Sequence, residues 1–130
     1  MIIDKNNLYV IDTSDFCLHD LLISSFNYFP KLKILIIKIS DYKSEKFTIT
    51  FENVFEFKFS SVNRYIEDNY SELNDWEVIP NEYTKDNFIE ETKEKTIENG
   101  GEWNHNLFAV RFLMSNMNEI KIISERINII

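Results

Sequence analysis

Residues 46–60 read Lys46-Phe47-Thr48-Ile49-Thr50-Phe51-Glu52-Asn53-Val54-Phe55-Glu56-Phe57-Lys58-Phe59-Ser60. Apolar and polar positions alternate on both sides of Glu52-Asn53-Val54, the pattern of a strand with one buried face. A loop at 52–54 would set Phe51 opposite Phe55, Ile49 opposite Phe57 and Phe47 opposite Phe59, all on one side. A two-residue turn would put Ile49 against Glu56 and mix the faces, so the register favours a hairpin with the longer loop. A single bent strand keeps the same parity and stays open as the alternative. In either form the Phe stripe is most simply core.

Upstream, Leu22 to Phe29 and Leu32 to Ile39 form a second hairpin around Pro30-Lys31. The middle of Leu32–Ile39 is apolar on both faces, which predicts a central strand covered on both sides. Ser40 to Ser44 is a polar turn, and Leu8-Tyr9-Val10-Ile11 is a short strand candidate. Downstream, Leu107–Met114 and Glu119–Ile129 flank Ser115-Asn116-Met117-Asn118, a turn by composition. Ile120 and Ile122 share one parity and Ile123, Ile127 and Ile129 the other. The chain therefore bulges, or leaves one sheet for another, near Ile122-Ile123-Ser124.

The centre reads differently. Val62, Tyr65, Ile66 and Tyr70 have near-helical spacing after Ser60-Ser61. Trp76 to Ile79 is a strand candidate stopped by Pro80. Thr84 caps a helix running to Glu98, with Asn99-Gly100-Gly101 as its stop signal. Glu90 with Lys93 and Glu91 with Lys95 are spaced for ion pairs. With only Phe88, Ile89 and Ile97 as large apolar residues, this helix should lie on the surface and pack thinly.

The fold class expected is mainly β, with α+β as the variant: an antiparallel sandwich or rolled sheet of about seven or eight strands. One or two short helices fall in the 61–98 region. Composition agrees. The 130 residues hold eleven Phe and six Tyr but a single Ala (Ala109), so strand-forming residues outweigh helix formers. The length suits one domain, 1–130, able to bury a core without staples.

Charge divides the chain. The net charge is −8; residues 61–105 carry twelve acidic and four basic groups, while the segments on either side are nearly neutral. That balance argues against nucleic acid or an anionic membrane surface as partner, since phosphate binding rests on Lys and Arg. One cysteine, Cys17, forms no internal disulfide. The start, Met1-Ile2-Ile3-Asp4, lacks the features of a signal peptide. No apolar run approaches the ~20 residues that span a bilayer. A cytoplasmic protein is the expectation.

No constellation points to catalysis. Cys17-Leu18-His19-Asp20, with Asp15 nearby, is the densest reactive group, yet His105 is the only other imidazole. Zinc takes about four ligands, so a site would need distant segments to meet. A thiolate activated by His19 lacks an orienting third group, and a buried Cys behaves as a small hydrophobe. Glu90-Glu91 is unremarkable in an acidic chain. Gly100 and Gly101 are the only glycines, so no Gly-rich phosphate loop exists. Neither an enzyme nor a resident cofactor is expected.

Asp15 to Asp20 leading into Ile23 and Tyr28, followed by the strand Leu32–Ile39 and then Phe51 to Phe57, has a familiar arrangement. It resembles small bacterial proteins with an H-D-x-x-I start (His19, Asp20, Ile23) and an F-x-N-V strand junction (Phe51, Asn53, Val54). Some of these look like immunity proteins of toxin–antitoxin-type systems. The likeness covers about residues 12–60 and, more loosely, the final hairpin, but not the acidic centre. It implies a cytoplasmic, non-enzymatic inhibitor on a β-rich scaffold, one whose acidity meets a basic toxin.

The leading expectation is a protein-binding module whose partner surface comprises Glu90, Glu91, Glu94, Glu98, Trp76 and Trp103. The two Trp can equally serve to tie the segment to the sheet. A small-ligand carrier with a Phe-lined cavity is the alternative, and a metal or thiol site at Cys17 and His19 is a third reading. The second apolar face of Leu32–Ile39 needs covering by a helix from the acidic segment, a second sheet or another subunit, the last of which would make a homodimer.

Overall fold

The computed structural model describes residues 1–12, 21–40, 45–60, 72–79, 87–114 and 119–130. The helix expected after Ser61, the turns at 41–44 and 115–118, and the cap at Thr84 lie outside them. The described elements are β1 (Ile2–Ile3), a 3-10 helix (Leu8–Asp12), β2 (Leu21–Phe29), β3 (Ile34–Ser40), β4 (Lys46–Glu52), β5 (Glu56–Ser60), β6 (Glu72–Ile79), α1 (Phe88–Glu98), β7 (Phe108–Met114), β8 (Glu119–Ser124) and β9 (Arg126–Ile129). Every strand pairing is antiparallel, in the order β1-β9-β4-β3-β2-β6-β7-β8-β5. The fold is mainly β, as the alternation requires.

The 46–60 stretch is the bent strand rather than the hairpin. β4 pairs with β3 and β9, whereas β5 pairs with β8. β8 and β9 bend at the same place: β8 lies between β7 and β5, and β9 lies between β4 and β1. Two long strands therefore run side by side through one corner and change sheets together, as corners of rolled sheets do. The parity switch near Ser124 has this cause. At the bend Asn53 takes a left-handed φ of 51°, and the Val54 amide donates to the Lys33 carbonyl at 2.8 Å. Periodicity is blind to the choice, because a hairpin and a bend give identical alternation.

A second join, Leu21 and Leu22 of β2 against Leu73 and Glu72 of β6, connects the five strands β1-β9-β4-β3-β2 to the four strands β6-β7-β8-β5. Phe51 of β4 and Phe112 of β7 stand four strand steps apart, about 19 Å in a flat sheet. Their ring centroids nevertheless lie 5.8 Å apart, edge to face. The sheet is thus rolled over on itself without closing into a barrel. Leu35, Ile37, Ile39, Ile49 and Phe51 from one half meet Phe108, Val110, Phe112, Ile120 and Ile122 from the other in one buried cluster.

The β2–β3 hairpin forms, but its turn takes in Leu32 and Lys33 as well as Pro30-Lys31, so the second strand starts at Ile34, opposite Phe29, with Lys33 at φ 54° in the turn. An extra residue at Ser24 shifts the register, and the Ser24 hydroxyl donates to the Lys38 carbonyl at 3.2 Å. The bulge keeps Phe26 and Tyr28 on the same face as Leu21 and Ile23 although their sequence parity differs. β3 is central in its half, but its second face is only partly covered: Ile34 and Ile36 are half-buried and Lys38 is exposed.

Other expectations need correction. Leu8–Ile11 is helical because Asn7 closes the chain on itself: its side chain accepts from the Asp4 amide at 2.7 Å and donates to the Ile2 carbonyl at 2.9 Å. Leu8 and Ile11 then share one side of a three-residue turn. The strand seen at Trp76–Ile79 starts earlier, at Glu72. The Phe stripe is not all core. Phe51 is fully buried, Phe47 and Phe57 are half-buried, and Phe55 and Phe59 are 46% and 53% exposed. β5 forms one margin of the sheet, so among the described residues no further strand lies beyond it to cover Phe59.

Candidate interaction surface

α1 rests on the outer side of the four-stranded half. Phe88 and Ile89 join Leu107, Ala109 and Ile123 in a second buried cluster, with Trp103 packed against it. Ala109 and Ile123 are register partners on β7 and β8, and the small side chain of Ala109 gives the helix room to approach. The Lys121 amine sits 5.7 Å from the Phe88 ring centroid, a cation–π distance. Thr92, also buried, reaches Glu56 of β5. Phe88, Ile89 and Thr92, three residues at helical spacing, thus fix the orientation of the helix.

Its ends are set differently from expectation. The helix starts at Phe88, and Asn87 stands at the N-cap without a side-chain bond to the backbone. Asn87 instead donates from Nδ2 to Glu91 Oε1 at 2.8 Å, so Glu91 serves the helix start and not Lys95. The Glu90–Lys93 pair is not made either. The stop signal behaves as read. Gly100 has φ 80°, its amide donates to the Ile97 carbonyl at 3.0 Å, and the Gly101 amide donates to the Thr96 carbonyl at 2.9 Å. These two bonds are the paired closure of a Schellman motif.

With Phe88, Ile89 and Thr92 turned inward, the opposite arc holds Glu90, Glu94, Glu98 and Ile97, with Glu91 at its flank. At 3.6 residues per turn the four glutamates fall within about 100° of one another. Glu91, Glu94 and Glu98 are exposed and Glu90 is half-buried. Ile97, 54% exposed, is an apolar residue among them. The structure therefore brings the four expected glutamates onto one outward face.

Trp103 does not join them. Trp103 is half-buried, its ring 5.4 Å from that of Phe55 in an edge contact, at the foot of α1. It ties the 99–106 loop to the sheet corner. Trp76 lies in β6 with Phe112 as its register partner. Cys17, His19 and Asp20 lie outside the described residues. Among the described residues no three His, Cys, Asp or Glu converge as metal ligands, and no helix is long and apolar enough to cross a membrane.

Two polar features escape sequence reading, because each joins residues from distant strands. On the outer face of β5, β8 and β7, Lys58 lies opposite Lys121, and Lys121 opposite Arg111. Glu119 approaches Lys121 at 3.5 Å and Arg111 at 3.6 Å. At the corner of the roll, Arg126 pairs with Glu52, and Glu125 accepts from Asn53 and, at 3.4 Å, from Asn104. Glu52, Asn53, Glu125 and Arg126 line a polar cleft of roughly 330 Å³ together with Lys5 and Asn106. Acid, base and amide satisfy one another there, which suits a lock on the bend.

Compared with known proteins, the chain matches no family model and no curated sequence.

Proposed function

We propose that this chain is a non-enzymatic protein-binding module that meets a basic partner through the outward face of α1. The observation that carries the reading is the set Glu90, Glu91, Glu94 and Glu98 on one arc of a helix whose other face is anchored by Phe88, Ile89 and Thr92. A rigid mount keeps the entropy cost of binding low, since the charges are presented without ordering a loop. A concentrated negative field speeds encounter with a basic surface and makes it salt-sensitive. Ile97 supplies an apolar contact at the edge of that face, next to Glu90 and Glu94.

The reading extends to the partner class. An immunity-type inhibitor in the cytoplasm, neutralising a basic toxin, would use such a helix to cover a cationic site. This fits the likeness carried by His19-Asp20 and Phe51-Glu52-Asn53-Val54. Capture of the partner from the native host identifies it, and binding kinetics then test the surface. Changing the four glutamates to Gln together should lower the association rate on the order of tenfold or more. Raising salt should act in the same direction on the unaltered protein. Association indifferent to both treatments would rule the surface out.

A further inference from the structure

We infer that two copies of this chain associate edge to edge through β5, in antiparallel register about Phe57. Among the described residues β5 pairs with β8 alone, and it ends the strand order. Such a strand presents unused backbone donors and acceptors to any second strand that fits. Two exposed aromatic rings, Phe59 and Phe26, flank it, and the half-buried Phe57 meets Phe26 at 5.7 Å and Tyr28 at 4.8 Å. Apolar surface thus gathers along the five-residue end strand β5, whereas the other end of the strand order, β1, has only two residues to offer for pairing.

The residues of β5 choose both the occupant and the register. Antiparallel strands put directly opposed residues on one face, so a two-fold axis must pass through a residue of β5 to keep polar with polar. An axis at Glu56 sets Glu56 against its own copy, and an axis at Lys58 sets lysine against lysine. An axis at Phe57 sets Glu56 opposite Lys58 of the second copy, twice, with the two Phe57 residues facing each other. Only this register is complementary in charge, and opposed unlike charges favour a strand pair while like charges disfavour it. It also places Phe59 of each copy opposite Phe55 of the other.

Lys58 provides an independent reason. Within one chain its cross-strand partner is Lys121, a like charge, and among the described residues no carboxylate pairs with Lys58. Glu119 serves Lys121 and Arg111 instead. Glu56 of a second copy supplies the missing anion. A two-fold contact of this kind is self-complementary and closes, so it yields a dimer and not a fibre. The helix face of the proposed function is not part of it, and glutamine at 90, 91, 94 and 98 leaves it intact.

Sedimentation of the full chain across a range of concentrations tests this. The expected result is a reversible monomer–dimer equilibrium, lost in Lys58→Glu and regained when Lys58→Glu is combined with Glu56→Lys. Hydrogen exchange on the unaltered chain gives a check that needs no variant: amides of β5 should slow as concentration rises, while those of α1 do not. A monomer at every concentration, with β5 exchange unchanged, overturns the proposal and leaves Lys58 as a guard against edge pairing. So does a dimer that survives Lys58→Glu, or an exchanged pair that folds and stays monomeric.

Discussion

The hydroxyl of Thr92 stands 2.9 Å from Glu56 Oε2 and 2.9 Å from the Phe88 carbonyl, so one buried side chain links α1 both to β5 and to its own first turn. It has a single proton for two acceptors, and either choice holds the helix against the sheet. Thr92→Val keeps the volume and removes the donor. The expected loss is about 1 kcal/mol, the net worth of a typical internal hydrogen bond. Urea unfolding should show a lower midpoint at unchanged slope.

Phe51 and Phe59 occupy equivalent places in one alternating pattern, yet the roll buries the first completely and leaves the second at its margin. Phe51→Ala removes a ring that touches Phe112 and opens a cavity, at about 3–5 kcal/mol. Phe59→Ala, measured on dilute protein, should fall within about 0.5 kcal/mol of the parent. Equal losses at the two positions would mean that the strand does not bend at residues 53–55.

Gly100 carries the left-handed φ that closes α1, and a Cβ there would meet no atom within 4 Å. Steric crowding is absent, so the cost of Gly100→Ala is the backbone penalty alone, about 1 kcal/mol. Gly100→Asn should lose less, since Asn tolerates this conformation better. Thermal unfolding of the two variants compares them directly.

Ser124 has the opposite sign. It is fully buried where β8 turns into β9, and its hydroxyl finds no hydrogen-bond partner among the described residues. An unpaired buried hydroxyl costs free energy that an apolar group of similar size does not. Ser124→Ala should therefore leave stability unchanged or raise it by up to about 1 kcal/mol. A clear loss in urea unfolding would show that the hydroxyl has a role in the bend.

Much of the architecture was legible in local pattern. Alternation over 21–60 and 107–129 identifies strands because a pleated chain with one wet face must alternate. The switch of isoleucine parity after Ile122 marks the place where the chain leaves one half of the sheet for the other. Asn99-Gly100-Gly101 ends α1 because only glycine takes the required φ at little cost. The glutamate arc was also readable, since 3.6-residue periodicity places Glu90, Glu94 and Glu98 together once the apolar side is known.

Other features depend on partners that local pattern does not name. Whether 46–60 turns back or bends rests on β8 and β9, which lie some seventy positions away in the chain and pass through the same corner. The placing of Trp103 depends on Phe55, and the opposition of Lys58 and Lys121 on strand register. Asn7 turns an apolar run of four into a helix through two side-chain bonds that hydropathy does not register.

By itself, then, the sequence determined which residues are extended, which face of each strand is apolar, where α1 stops and where the negative charge gathers. These follow from interactions between near neighbours, and near neighbours are written side by side. Tertiary structure alone decided which of the equivalent phenylalanines is buried, which strand is left at the margin and which charges oppose one another. Burial and register are properties of contacts between distant segments, and many such contacts are compatible with a single alternating pattern.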